Sequence, residues 1–401
     1  MSGPERDMLI TRLNGAFPVR MLVTFAKALG WLIPFRNASA LFFFFPFFHV
    51  GGAEKVHADI VGCFAGERPW VFFTKKSANR SFRALFTEEA RLFNIWPLLK
   101  YGYPLSVGIM AGFINRHRKA AVFGCNSLFY YLMVPYLAPH VRRSDLLHAF
   151  GGASDEFSLP VAGRLDRRVV ISRKTKQDLT DQYLANGVDA AMLDRVVVIQ
   201  NRVEATDEIS EKAIRPELNV LFVGRGTPEK RVHLIGRAAS MCRERCVPAR
   251  FVLVGDTLGA VDAGDRENCI FAGEVCDERI LEDLYTGAEV LLLTSSREGF
   301  PLVIMEAMAR GVVPLSTNVG GISEHLTHGV NGLLLESRDE DGIVAEIAAI
   351  VSRLAADRRE LAELSRAARG YARLHFGGEG FCEAYRNVIL GRDGGGGSCP
   401  G

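Results

Sequence analysis

Thr294-Ser295-Ser296-Arg297-Glu298-Gly299-Phe300-Pro301-Leu302-Val303-Ile304-Met305-Glu306-Ala307-Met308-Ala309-Arg310-Gly311 is the stretch from which the rest of the chain can be read. Four apolar residues, Val290–Leu293, precede it. A short apolar run without polar alternation reads as a strand buried on both faces, as in a parallel sheet. A polar turn follows, from Ser295 to Gly299. Pro301 stands where a helix is expected to begin, because its missing N–H is not needed in the first turn. Residues 302–309 carry that helix, and Gly311 is placed to end it. Glu298 then lies on a loop at the carboxyl end of a strand, and Glu306 sits just over one turn into the helix. The free amides of Leu302 and Val303 point back toward the loop, and a helix N-terminus so placed attracts anions. Two carboxylates flanking an anion site suit one ligand that carries both phosphates and many hydroxyls. A nucleotide sugar meets that description.

Alternation of strand and helix runs outward from this unit in both directions. Strands are expected at 41–48, 70–74, 120–125, 146–150, 169–172 and 196–200, then at 219–223, 251–254, 270–272, 290–293, 313–316 and 333–335, with helices between most of them. That order predicts parallel, doubly wound sheets. The length, 401 residues, exceeds one core and implies two domains. The first is expected over 1–205 and the second over 206–376. A C-terminal helix at 377–390 is expected to pack back on the first, and a glycine-rich tail at 391–401 to be disordered. The polar segment 202–217, without apolar periodicity, is the expected linker.

Apolar content of 48% and charged content of 23% are those of a globular protein. Charge is unevenly spread. Lys and Arg exceed Asp and Glu by ten in residues 1–205 and trail them by eight in the remainder. A basic front half suits anionic lipid, a phosphorylated acceptor or an acidic polymer. The eight cysteines are scattered with no CxxC pair, and a reducing, cytosolic compartment is the simpler expectation. No signal peptide is expected, since Glu5 and Asp7 stand in the first seven residues. No membrane span is expected either. Residues 17–35 are interrupted by Arg20 and Lys27, and the apolar run 38–50 is too short. Residues 18–35 do read as an amphipathic helix, with Met21, Leu22, Phe25, Leu29 and Leu32 on one stripe. That stripe fits either a membrane surface or the first domain's sheet.

The second domain resembles the donor-binding domain of the retaining GT-B glycosyltransferases, family 4 in particular. The matching patches are Phe222-Val223-Gly224-Arg225-Gly226-Thr227-Pro228-Glu229-Lys230, Phe251-Val252-Leu253-Val254-Gly255-Asp256, Gly273-Glu274-Val275, the stretch from Glu298 to Ala309, and Asn318-Val319-Gly320-Gly321-Ile322-Ser323-Glu324. The first domain matches more weakly, through Gly51-Gly52-Ala53-Glu54 and Leu147-His148-Ala149-Phe150. It departs at Asn201-Arg202, where the family often has Asn-Gly.

This resemblance implies an α/β fold of GT-B type, two Rossmann-like doubly wound parallel-sheet domains facing across a cleft. It also implies transfer of a sugar from a nucleoside diphosphate (UDP or GDP) to an acceptor hydroxyl, with the anomeric configuration kept. Arg225 and Lys230 are placed to neutralise the diphosphate, Arg as a planar fork and Lys as a point charge. With two cations and a helix end, neither metal nor cofactor is implied. Glu306 is expected on the ribose hydroxyls and Glu298 on the donor sugar. Gly299, Phe300, Pro301, Leu302 and Val303 complete the donor wall. Gly273, Glu274 and Val275 are expected on the base. His148 is expected to reach the donor sugar, and Gly51 and Gly52 to let backbone approach phosphates or acceptor. Implied partners are the nucleotide-sugar donor and a carbohydrate or lipid-linked acceptor, but no nucleic acid; an anionic membrane surface is a partner only in the reading that lays the 18–35 stripe on a membrane. The expected place is the cytoplasm, or the inner face of the membrane if the 18–35 stripe lies on it. Two other classes fit the architecture: a sugar-nucleotide epimerase, which would turn over without acceptor, and a non-catalytic sugar-nucleotide-binding protein. The four charged residues together favour the transferase.

Overall fold

The computed structural model describes residues 3–34, 39–49, 51–77, 79, 81–87, 90–203 and 215–391. Val50, Arg80, residues 204–214 of the expected linker and the tail from 392 lie outside the described residues. The chain divides into two units, one formed by residues 1–199 with 380–401 and the other by residues 200–379.

The first unit is built on a seven-stranded sheet. Its strands are β1 (Leu41–Phe45), β2 (Trp70–Phe73), β3 (Arg91–Asn94), β4 (Ala121–Cys125), β5 (Arg142–Leu147), β6 (Arg167–Val170) and β7 (Val196–Val198). They are parallel and ordered β3-β2-β1-β4-β5-β6-β7. β1, Leu-Phe-Phe-Phe-Phe, is buried throughout. Phe44 stacks on Phe72 and Phe129 on one face, while Phe43 meets Phe64 and Phe123 on the other. Covering on both faces is why the run shows no alternation. β1 stops at Phe45 rather than running to 48, because Pro46 cannot donate to a ladder.

Sequence reasoning missed β3 and the Leu105–Asn115 helix. The helix is apolar on every side, so it has no period to detect. It also started β5 late, at 146. Asp145 and Arg168 look like surface charges, but they are register partners that pair with each other inside the unit. One cysteine pairing was not foreseen. Cys63 and Cys382 form a disulfide across 319 residues, a separation that no spacing rule detects. It ties the chain end to the first unit, where Arg142 Nε also donates to Val388 O at 2.9 Å and Arg386 pairs with Glu67 at 2.5 Å.

The second unit has β8 (Leu218–Val223), β9 (Ala249–Val254), β10 (Cys269–Gly273), β11 (Val290–Leu293), β12 (Val313–Thr317) and β13 (Leu333–Leu335), ordered β10-β9-β8-β11-β12-β13 and parallel. Two doubly wound parallel α/β sheets are thus the observed fold class. In each, strand order reverses at one point, between β1 and β4 in the first and between β8 and β11 in the second. Loops leaving the carboxyl ends of such neighbours diverge, and a ligand crevice opens between them.

Candidate active site

The second unit's reversal point carries the charged residues read from the sequence. After β8 the chain runs through Gly224-Arg225-Gly226 into a short turn, Pro228–Lys230. Arg231 then adopts a left-handed backbone, φ 47°. This aims its guanidinium at the end of β11, where Nε donates to Thr294 O at 2.7 Å. Thr294 Oγ1 donates back to Lys230 O at 2.9 Å, and the Ser296 amide to Glu229 O at 2.7 Å. These bonds lace the two loops together. Lys230 Nζ consequently lies 2.5 Å from Glu298 Oε1, and Ser295 Oγ donates to the same oxygen at 2.6 Å. The loop after β12 presses on the Glu298 peptide from the far side. Gly320 has φ +60°, and a Cβ there would lie 1.9 Å from Glu298 O, so only glycine fits. Arg225 is exposed on the same β8 loop.

Pro301 caps the Leu302–Ala309 helix rather than filling its first turn. Glu306 is buried one turn inside, and the Tyr285 hydroxyl donates to its Oε2 at 2.9 Å. Burial pushes the Tyr285 phenol well above its ordinary value, and the adjacent Glu306 charge pushes it further, so it remains a donor. Replacing Tyr285 with Phe leaves a buried carboxylate short of one donor. A stability loss of about 1–3 kcal/mol in urea unfolding is expected.

Other residues of the predicted wall differ in exposure. Gly299, Pro301 and Leu302 are buried, while Val303 is half-buried. Phe300 turns inward, its ring 4.4 Å from that of His325 and 5.7 Å from that of Phe376. Its side chain faces the unit's own interior, so only its backbone can border a ligand. Gly273 closes β10 with φ +69°, and Glu274 and Val275 follow it beyond the edge strand. The chain's one Asp-x-Asp, Asp339-Glu340-Asp341, starts another helix. There Asp339 accepts from the Gly342 amide, Glu340 meets His233 and Asp341 pairs with Arg237. These surface bonds already engage the triplet.

The first unit has a second cluster at the ends of β1, β4 and β5. His148 follows β5, and its Nε2 lies 3.1 Å from Nε2 of His57. His57 is fully buried and stacks on Phe45 at 4.2 Å, while its Nδ1 has no hydrogen-bond partner. Cys125 completes the only group among the described residues able to hold a metal, with one ligand atom from each residue within 4.8 Å of the others. Burial raises the Cys125 thiol well above its ordinary value, helped by Asp145 and Glu54, which works against the thiolate that a metal needs. We therefore read the group as an imidazole pair over a thiol. Gly51 precedes the Gly52–Gly62 helix, and a Cβ there would meet the Glu54 carboxylate at 2.2 Å. A side chain at position 51 would therefore displace the Glu54 carboxylate.

His57 and Tyr285 were not foreseen. The signal for His57 was a histidine on the apolar stripe of Ile60, Val61 and Phe64. Burial holds His57 well below its ordinary 6.5, with His148 adding to the effect, and lowers His148 to about 4. Below about pH 6.5 the unfolded chain takes up protons that the folded chain refuses until about pH 4. Stability should therefore be intact above pH 6.5 and fall as pH drops toward 4. Urea unfolding at pH 7.5 and 5 should show this loss, and His57→Gln should show less of it.

Residues 217–353 match the family model of the glycosyl transferases group 1. Over 143 residues the chain is 33% identical to an uncharacterized glycosyltransferase of Methanocaldococcus jannaschii, covering 34% of this chain and 36% of that one. Over 192 residues it is 32% identical to the D-inositol 3-phosphate glycosyltransferase of Acidothermus cellulolyticus, covering 43% and 42%. The chain therefore spans about two-fifths of the length of these relatives. The structure of Anabaena HepE in complex with UDP-glucose superposes with a TM-score of 0.69 at 19% identity, over 88% of this chain and 99% of that one. The second unit thus carries a segment similar to the group 1 glycosyl transferases, and the fold along the chain is of the GT-B class.

Proposed function

We propose that the chain is a retaining, metal-independent glycosyltransferase that moves a sugar from a nucleoside-diphosphate sugar to an acceptor hydroxyl. The observation that carries this reading is the Lys230–Glu298 pair, held where the β8 and β11 loops diverge in a group 1 segment. The leaving diphosphate develops charge as the glycosidic bond breaks. Lys230, Arg225 and the Leu302 and Val303 amides are the groups that stabilise it, and such preorganised charge is usually the largest catalytic contribution. Glu298, already bonded to Lys230 and Ser295, keeps its second oxygen for donor-sugar hydroxyls. Glu306 serves the ribose, and Gly273, Glu274 and Val275 serve the base. In this reading the departing phosphate takes the acceptor's proton on the face it leaves. His148, in the first unit, is proposed as a sugar-binding side chain.

UDP is the base to try first, since the fold neighbour HepE was solved with UDP-glucose. A polysaccharide or glycolipid acceptor is favoured by a further relative, the lipopolysaccharide 1,2-N-acetylglucosaminetransferase of Salmonella typhimurium. The chain would work in the cytoplasm. The test is to incubate the purified chain with UDP- and GDP-sugars and a saccharide acceptor panel, with and without chelator. Product of retained configuration, formed equally well in chelator, is expected. Epimerised donor without acceptor would overturn the assignment.

A further inference from the structure

The Phe17–Leu32 helix turns its small residues inward and its large ones outward. Val23, Ala26 and Gly30 are its buried positions. They meet the Leu105–Asn115 helix backbone to backbone. A Cβ on Gly30 would lie 1.9 Å from Ile109 O, one on Gly108 2.4 Å from Val23 O, and one on Gly112 2.0 Å from Lys27 O. Phe17, Met21, Leu22, Phe25, Leu29 and Leu32 all point away from that contact, with Phe17 76%, Phe25 65% and Leu32 68% exposed. At 3.6 residues per turn these six form one continuous arc, and Arg20 and Lys27 form a separate sector. The sequence left two seats open for this stripe, a sheet or a membrane. The structure seats the helix through the opposite face and leaves the stripe uncovered. An apolar arc of this size is unfavourable in water and marks an interaction surface.

The preceding Gly3–Leu13 helix also exposes apolar side chains, Met8, Leu9 and Leu13. The turn between the helices is pinned to the unit. Asn14 Nδ2 donates to Leu132 O at 3.0 Å, and the Tyr103 and Tyr136 hydroxyls donate to Asn14 at 3.1 and 3.0 Å. The arc is therefore presented by a fixed platform.

Charge identifies what covers it. The Phe17–Leu32 helix carries Arg20 and Lys27 and no acidic residue. At its far end the Arg116 guanidinium lies 5.3 Å from the Trp31 ring. Arg12 stands in the last turn of the neighbouring helix, which also carries Glu5 and Asp7. A basic platform with bulky apolar and aromatic side chains on its open side matches a surface that is apolar below and anionic above. A bilayer bearing anionic headgroups is such a surface. Sixteen residues reach about 24 Å, short of the roughly 30 Å hydrocarbon core. Among the described residues no helix is long and apolar enough to cross a membrane. The helix therefore lies in the plane.

We propose that the Gly3–Leu13 and Phe17–Leu32 helices dock the first unit onto an anionic phospholipid surface, with Phe17, Met21, Phe25, Leu29 and Leu32 inserted at the headgroup boundary. The proposal concerns the first unit and does not require the transferase reading of the second. Its test is sedimentation of the full chain with vesicles of one part phosphatidylglycerol to three parts phosphatidylcholine, and with phosphatidylcholine alone. Wild type should sediment with the anionic vesicles and lose binding as salt rises. Phe25→Ser combined with Leu29→Ser should bind roughly tenfold more weakly or worse. Arg20→Glu with Lys27→Glu should abolish the preference for anionic lipid. Both variants should melt like wild type, because the changed side chains are outside the core. Wild type remaining in the supernatant with anionic vesicles would overturn the proposal. So would sedimentation of the serine variant equal to wild type. A wild-type dimer in ultracentrifugation that the serine variant turns into a monomer would also overturn it, by assigning the face to a second copy of the chain.

Discussion

Lys230→Ala is expected to lower kcat/KM for sugar transfer by about 10²–10³-fold, the range seen when one preorganised charge-stabilising group is removed. Two effects act in the same direction. The diphosphate loses its nearest ammonium, and Glu298, which holds Lys230 at 2.5 Å, is left as an uncompensated carboxylate facing the same anion. Lys230→Arg should not restore activity, because a planar guanidinium cannot put its charge where the Lys230 ammonium sits against Glu298 Oε1. Adding Glu298→Gln to Lys230→Ala should recover part of the nucleotide affinity, since the repulsive carboxylate is gone. It should recover none of the transfer, since the sugar contact is gone too. A Lys230→Ala variant with kcat/KM within about threefold of wild type would remove Lys230 from the mechanism.

Asp145→Ala should destabilise the first unit by about 3–5 kcal/mol, the usual result of stripping one partner from a buried ion pair. Arg168 is only 2% exposed, and its Nε and Nη2 reach Asp145 at 3.0 and 2.6 Å. The Tyr183 hydroxyl accepts from Arg168 at 2.8 Å, and the Tyr131 hydroxyl donates to Asp145 at 2.8 Å. Every bond in this network converges on the pair, so alanine leaves a buried guanidinium with no counter-charge. Urea unfolding should show a lower midpoint with an unchanged slope. Asp145→Leu with Arg168→Leu should recover much of the loss, because removing both charges removes the desolvation cost. A single alanine variant as stable as wild type would mean that water reaches the pair.

The strand–loop–helix of 290–311 was legible because each step has a local cause. Val290–Leu293 is continuous and apolar, Pro301 and Gly311 mark the helix ends, and Glu298 and Glu306 fall at fixed places between. Winding of the sheets was legible from alternation alone. Long-range contacts were not. Lys230 and Glu298 stand 68 residues apart; the resemblance put both on one ligand, but their direct bond, beside an Arg231 with a left-handed backbone, has no local signal. Buried charge misled the reading of β5, where Asp145 and Arg168 looked like solvent residues until their strands were placed side by side. The stripe on residues 17–32 was visible, but the side that faces inward was decided by Gly108 and Gly112 on a helix without period.

Calorimetric titration of UDP and GDP into wild type, Lys230→Ala and Lys230→Ala/Glu298→Gln tests the central claim most directly. Tight binding of one nucleotide to wild type is predicted, with the dissociation constant rising about tenfold or more in Lys230→Ala, equivalent to about 1.4 kcal/mol, and falling partway back in the double variant. Failure of wild type to bind either nucleotide, or an unchanged constant in Lys230→Ala, would contradict a diphosphate site where the loops after β8 and β11 part.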